Sequence, residues 1–252
     1  MDCSRGYQSP PTVLSNPSIP VNERLIVALD MPDPAGAKAL VETLGDDVVF
    51  YKLGFELFLA GAYPEFLGWL ADRGKKCFVD LKFYDVPRTV AAAVRQLERR
   101  GAAFCTVHGD DAILRAAVAE RKTTKILAVT VLTSLDRAGI ESLGFKGNVG
   151  ELVLSRARGA VAAGCDGVIS SGQEAERLRA VVPPAFRIVT PGIRPAENKP
   201  ADDQKRTVDV EEAFQFGADH IVVGRPIVGA KDPKAAAADH QRRIHALFKA
   251  GR

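Results

Sequence analysis

Two charged residues stand where an apolar strand should carry none. The stretch Lys76-Cys77-Phe78-Val79-Asp80-Leu81-Lys82-Phe83-Tyr84-Asp85-Val86-Pro87 opens as a buried strand, with Gly74 ahead of it as a turn signal. Successive strand side chains point to opposite faces, so Asp80 and Lys82 are expected to share one face, with Leu81 on the other. Pro87 stops the extended segment and suits the first position of a helix running from Arg88 to about Arg100. Isolated charges on such a face cost several kcal/mol unless they are paired. Two readings compete: a structural ion pair that plugs a barrel mouth, or a polar cluster held ready for chemistry at a strand's C-terminal end.

The elements that position this pair follow from the rest of the chain. Apolar runs at 24–30, 48–54, 77–81, 103–108, 125–132, 166–171, 186–194 and 220–226 read as strands. Helical patterns follow them at 35–43, 55–73 (two short patches), 88–100, 111–120, 149–163, 173–181, 210–216 and 233–248. Strands that are apolar throughout are buried on both faces, which implies a parallel sheet covered by helices. The fold expected is α/β, a closed (β/α)8 TIM barrel, with an open doubly wound sheet as the alternative. In this register the unusual residues gather at strand C-terminal ends: Asp30, Lys52, Asp80 with Lys82, His108, Thr133 with Ser134, Ser170 with Ser171, Arg194, and Gly224 with Arg225. A barrel collects those ends on one rim, where barrel active sites lie. A whole set of this kind favours the chemical reading over plugging.

Gly224-Arg225 follows the last strand. Glycine lets the backbone approach a ligand, and the guanidinium fork suits phosphate, although a turn glycine beside a solvated arginine has the same sequence. Barrels commonly bind phosphate at the loops after the last two strands, where Arg194 also falls. The loop from Pro195 to Thr207 is long and polar and reads as a lid.

Composition narrows the classes. The chain has 252 residues, 46% hydrophobic and 26% charged, enough for one well-buried core. A net charge of +3, spread without a basic stripe, argues against nucleic acid as a partner. No apolar run approaches the ~20 residues of a membrane helix. Cys3, Cys77, Cys105 and Cys165 are scattered without a metal or disulfide spacing, which suits a cytoplasmic protein with buried thiols. His108, His220, His240 and His245 show no metal-ligand spacing. There is no G-x-G-x-x-G after the first strand and no P-loop motif, which weakens dinucleotide and NTPase readings. Residues 1–22, rich in Pro, Ser and Asn, read as a flexible extension before a single barrel domain at 23–252.

The sequence Asp80-Leu81-Lys82-Phe83-Tyr84-Asp85-Val86-Pro87-Arg88-Thr89 resembles the D-x-K-x-x-D-I-P-x-T signature of the orotidine 5′-phosphate decarboxylase family, with Val86 in place of the commoner Ile. Val27-Ala28-Leu29-Asp30, Tyr51-Lys52-Leu53-Gly54, Val131-Leu132-Thr133-Ser134, Thr190-Pro191-Gly192-Ile193-Arg194 and Val223-Gly224-Arg225-Pro226 match in order, across roughly residues 24 to 230. The resemblance implies decarboxylation of orotidine 5′-phosphate to UMP with no metal and no organic cofactor. It implies that Lys82 protonates carbon 6, that Asp80 sits beside the substrate carboxylate, and that Lys52 and Asp85 complete a Lys-Asp-Lys-Asp array. It further implies a homodimer in which Asp85 and Thr89 reach into the partner's site. Asp30 and Lys52 would hold the ribose, Thr133 and Ser134 would meet the pyrimidine edge, and Arg194, Gln204, Gly224 and Arg225 would hold the phosphate. A sister enzyme using D-x-K-x-x-D with Mg²⁺ on a sugar phosphate is one rival; Pro87-Arg88-Thr89 and Thr133-Ser134 speak against it. A barrel that senses a nucleotide without turnover is another; burying two lysines and three acids speaks against that one.

Overall fold

All eight apolar runs form strands in the computed structural model, which describes residues 15–194 and 207–249. They are β1 (Leu25–Ala28), β2 (Phe50–Leu53), β3 (Lys76–Phe83), β4 (Phe104–Val107), β5 (Lys125–Val129), β6 (Gly167–Ile169), β7 (Arg187–Thr190) and β8 (His220–Val223). Each pairs in parallel with the next, and β1 pairs with β8, so the sheet closes as a barrel and the open-sheet alternative is excluded. β1, β2, β4 and β8 are buried at every position, as unalternating apolar runs require.

Closure splits the core into two layers. Ile26, Phe50, Phe78, Phe104, Leu127 and Val222 fill the barrel interior. Phe104 packs there against Phe50 and Phe78, with ring centroids 4.9 and 6.0 Å away. The intervening residues, such as Val27, Tyr51, Val79 and Cys105, face outward into the helix layer. Each fully buried Leu, Ile or Phe in these layers contributes about 1.5–3 kcal/mol. Local signals set the helix ends. Asp110 accepts from the backbone N–H groups of Ala112 and Ile113 at the start of 111–120. Gly164, at φ 84°, ends the helix Val149–Ala163 in a left-handed turn.

The structure differs from the sequence expectations in three places. Two short helices are additional: Arg137–Ser142 lies where the sequence predicts no element, and Arg225–Val228 begins inside the run 220–226 that reads as the last strand, which ends at Val223. β5 and β7 stop at Val129 and Thr190, earlier than their apolar runs, so 130–134 and 191–194 leave the sheet as rim loops. The expected flexible extension is held from Ser15 onward. Arg24 is buried, and its guanidinium donates to Ser15 Oγ (2.7 Å) and to the carbonyls of Asn16 (2.6 Å) and Ile19 (3.0 Å). A buried cation needs such acceptors, and the extension supplies them. Burial pulls the Arg24 guanidinium down to about 10, against the opposing pull of Asp219. Among the described residues, no helix is long and apolar enough to cross a membrane.

Candidate active site

A cavity of about 560 Å³ opens at the C-terminal mouth of the barrel. Its charged wall comes from three adjacent strands. Lys52 Nζ on β2 lies 2.7 Å from Asp30 Oδ1, just past β1, and 3.6 Å from Asp80 Oδ2 on β3. Lys82 Nζ lies 2.9 Å from Asp80 Oδ1. The result is an alternating row, Asp30–Lys52–Asp80–Lys82, built within one chain. Gly54 makes room for it: a Cβ there would sit 2.8 Å from Asp30 Oδ1 and 3.3 Å from Lys52 Nζ.

Burial and charge pull Asp80 in opposite directions. Desolvation pushes its pKa up, but Lys52, Lys82 and the hydrogen bonds from Lys82 and Thr106 outweigh it, so Asp80 is held below the usual carboxylate range. The folded protein thus favours charged Asp80. That contribution is complete above the unfolded carboxylate value and is lost as pH falls through the lower folded one.

Asp80 and Lys82 meet as expected, but not by simple alternation. Lys82 adopts a left-handed backbone, φ 45°, and the pairing of β3 with β4 shifts register between Val79 and Phe83. A non-glycine residue held there costs about 1–2 kcal/mol. The inserted kink turns Lys82 toward Asp80 at the cavity edge, with its side chain 32% exposed against 14% for Asp80.

The other expected site residues divide into two groups. Thr133, Arg194, Gly224 and Arg225 line the cavity. Its apolar wall includes Phe78, Ile169 and Val222. Ser134, expected at the pyrimidine edge, is exposed and does not line the cavity. The cause is the early end of β5: a turn, with Leu135 N–H donating to Leu132 O at 2.9 Å, separates Thr133 from Ser134. Asp85 and Thr89 are exposed and also lie off the cavity wall of their own chain. Asp85 Oδ1 accepts instead from the N–H of Val86, at 2.6 Å. Gln204 and the expected lid at 195–206 lie outside the described residues. His108, a further strand-end residue, is half-buried beneath Tyr84, and burial, with Arg156 and Lys82 nearby, lowers its affinity for a proton.

Sequence reasoning missed Thr106. It is fully buried on β4, its hydroxyl donates to Asp80 Oδ1 (2.9 Å), and it accepts from the Lys82 backbone N–H (2.9 Å). The available signal was its place two residues after inward-facing Phe104.

A closed (β/α)8 barrel with a charged cavity at its C-terminal mouth defines the class of barrel enzymes that act at that face. Comparison narrows the class. The family model for orotidine 5′-phosphate decarboxylase / HUMPS matches residues 23–240. The orotidine 5′-phosphate decarboxylase of Methylococcus capsulatus is 57% identical over 241 residues, covering 96% of this chain and 100% of that one. That of Xanthomonas campestris is 49% identical over 237 residues, covering 92% and 97%. The crystal structure of orotidine 5′-phosphate decarboxylase from Lactobacillus acidophilus superimposes with a TM-score of 0.76 at 36% identity, covering 90% of this chain and 99% of that one. The chain belongs to the orotidine 5′-phosphate decarboxylase / HUMPS family, as an enzyme of its decarboxylase branch.

Proposed function

We propose that this chain converts orotidine 5′-phosphate to UMP and carbon dioxide, the last step of pyrimidine nucleotide synthesis, without metal or organic cofactor and with Lys82 as the proton donor. The observation that carries this reading is the ion pair of Lys82 with Asp80, braced by Lys52 and Asp30, in a cavity that also holds Arg194 and Arg225.

Loss of carbon dioxide from carbon 6 leaves an electron pair in the plane of the pyrimidine ring, where the ring cannot delocalise it. A fixed ammonium lowers the energy of that pair as the C–C bond breaks, and then gives it a proton. Lys82 fills both roles. Asp80 orients Lys82 and lies beside the departing carboxylate. Lys52 and Asp30 take the ribose hydroxyls, and Thr133 takes the pyrimidine edge. Arg194, Gly224 and Arg225 take the phosphate, far from the reacting carbon. Binding energy gained there positions the ring, so phosphate contacts should raise turnover as well as affinity.

The active unit in this reading is a homodimer, with Asp85 and Thr89 completing the site of the second subunit. Their exposure supports it, as does their position beside Tyr84 and Val86, apolar side chains left 70% and 63% exposed.

The test is an ultraviolet assay of orotidine 5′-phosphate with the wild-type protein in excess EDTA. Undiminished conversion to UMP is expected. Activity on a sugar phosphate that EDTA abolishes would instead place the chain with the metal-dependent sister enzymes. Tight UMP binding with no turnover would make it a sensor.

A further inference from the structure

We infer that the Thr106 hydroxyl is a positioning group for the reaction: it locks the Asp80 carboxylate and the strained Lys82 backbone into the one arrangement that aims the Lys82 ammonium. The inference rests on the function proposed above and adds a residue outside the charged row.

Thr106 is 0% exposed on β4, and its side chain spans the gap where β3 and β4 fall out of register. Its hydroxyl has a single proton, donated to Asp80 Oδ1, while its lone pairs accept the N–H of Lys82. Asp80 Oδ1 also accepts from Lys82 Nζ at 2.9 Å. Thr106, Asp80 and Lys82 therefore form a closed ring of three hydrogen bonds, running from the Lys82 backbone through the hydroxyl and the carboxylate to the Lys82 ammonium. The left-handed backbone at Lys82 leaves its N–H without a ladder partner across the register shift. Thr106 supplies that partner, so one hydroxyl fixes both ends of the lysine. It does so without touching substrate: it does not line the cavity.

Three variants separate positioning from packing. Thr106→Val preserves shape and removes the hydroxyl. Thr106→Ala and Thr106→Ser both shed the γ-methyl, and only the serine retains the hydroxyl. The expected result is a fall in kcat of about ten- to a hundredfold in the valine and alanine variants, with KM changed less than about threefold. The serine variant should stay within about threefold of wild type. The acid limb of kcat/KM should move to higher pH in the valine variant, because Asp80 loses a hydrogen bond to its charged form. UMP-binding stoichiometry normalises each rate to folded sites. Should the valine variant not fold, the alanine–serine pair decides alone. A valine or alanine variant within twofold of wild type overturns the inference, as does a serine variant as impaired as the alanine. An inactive wild type overturns the proposed function instead, which keeps the two failures distinct.

Discussion

At the residue scale, the site is a solved electrostatic problem. Two ammonium groups and two carboxylates alternate, so each charge faces an opposite one, from the covered Lys52 and Asp80 out to the exposed Asp30. Removing an inner member would strand an end charge: without Lys52, Asp30 loses its partner, and without Asp80, Lys82 loses its own. Room for the row matters as much as its charges. Gly54 has ordinary extended backbone angles, φ −107° and ψ −166°, so alanine there is not strained by conformation. Its methyl would instead press on Asp30 and Lys52. Gly54→Ala should lower kcat/KM for orotidine 5′-phosphate by at least about tenfold while the thermal midpoint barely moves. Steady-state kinetics beside thermal melting checks this, and an unchanged kcat/KM would contradict it. Asp30, Lys52, Asp80 and Lys82 were legible in the sequence because a charge inside an apolar run is an anomaly. Thr106 was not, because threonine is an ordinary strand residue and nothing in its type marks it.

At the element scale, β3 carries the site and departs furthest from its pattern. Period-two alternation put Asp80 and Lys82 together, but the bulge and the left-handed lysine depend on what β4 offers across the gap, which no local pattern encodes. The ends of β5 and β7 were overestimated for a related reason: apolar residues such as Val131 and Ile193 are buried by rim loops, and burial does not require a strand. The opposite end of the barrel makes a separate point. His220 points inward at the start of β8, edge-on to Phe50 and Phe104, with Nδ1 2.9 Å from the carbonyl of Glu23. Burial lowers its proton affinity from the ordinary 6.5 to about 3, and Arg187, Arg24 and Lys76 push the same way. The unfolded chain therefore takes up a proton as pH falls below 6.5, while the folded chain stays neutral until about pH 3. Stability drains through that window on acidification. Between pH 7 and 5 the loss is about 2 kcal/mol. His220→Phe should abolish that component, measured as the difference in urea stability between pH 7 and 5. An equal difference in wild type and variant would contradict it.

At the scale of the whole molecule, the barrel itself was the most legible feature, because eight apolar runs alternating with helical patterns leave few other ways to bury both sheet faces. The docking of residues 15–22 was not legible, since their polar, proline-rich composition gives no sign of the buried Arg24 they serve. Assembly also belongs to this scale. If Asp85 serves the neighbouring site, Lys82→Ala and Asp85→Asn are each inactive alone but complementary in a hybrid dimer. One of the two sites in the hybrid then has Lys82 from one chain and Asp85 from the other. Mixing equal amounts, with subunit exchange, should restore about a quarter of wild-type activity. No recovery after demonstrated exchange would contradict a shared site.

The most direct measurement is single-turnover decarboxylation of orotidine 5′-phosphate by Lys82→Ala, with UMP affinity determined on the same preparation. A fixed ammonium that both steadies and protonates the ring anion implies a rate at least about a thousandfold below wild type, with UMP still bound. A rate within tenfold of wild type would contradict that account.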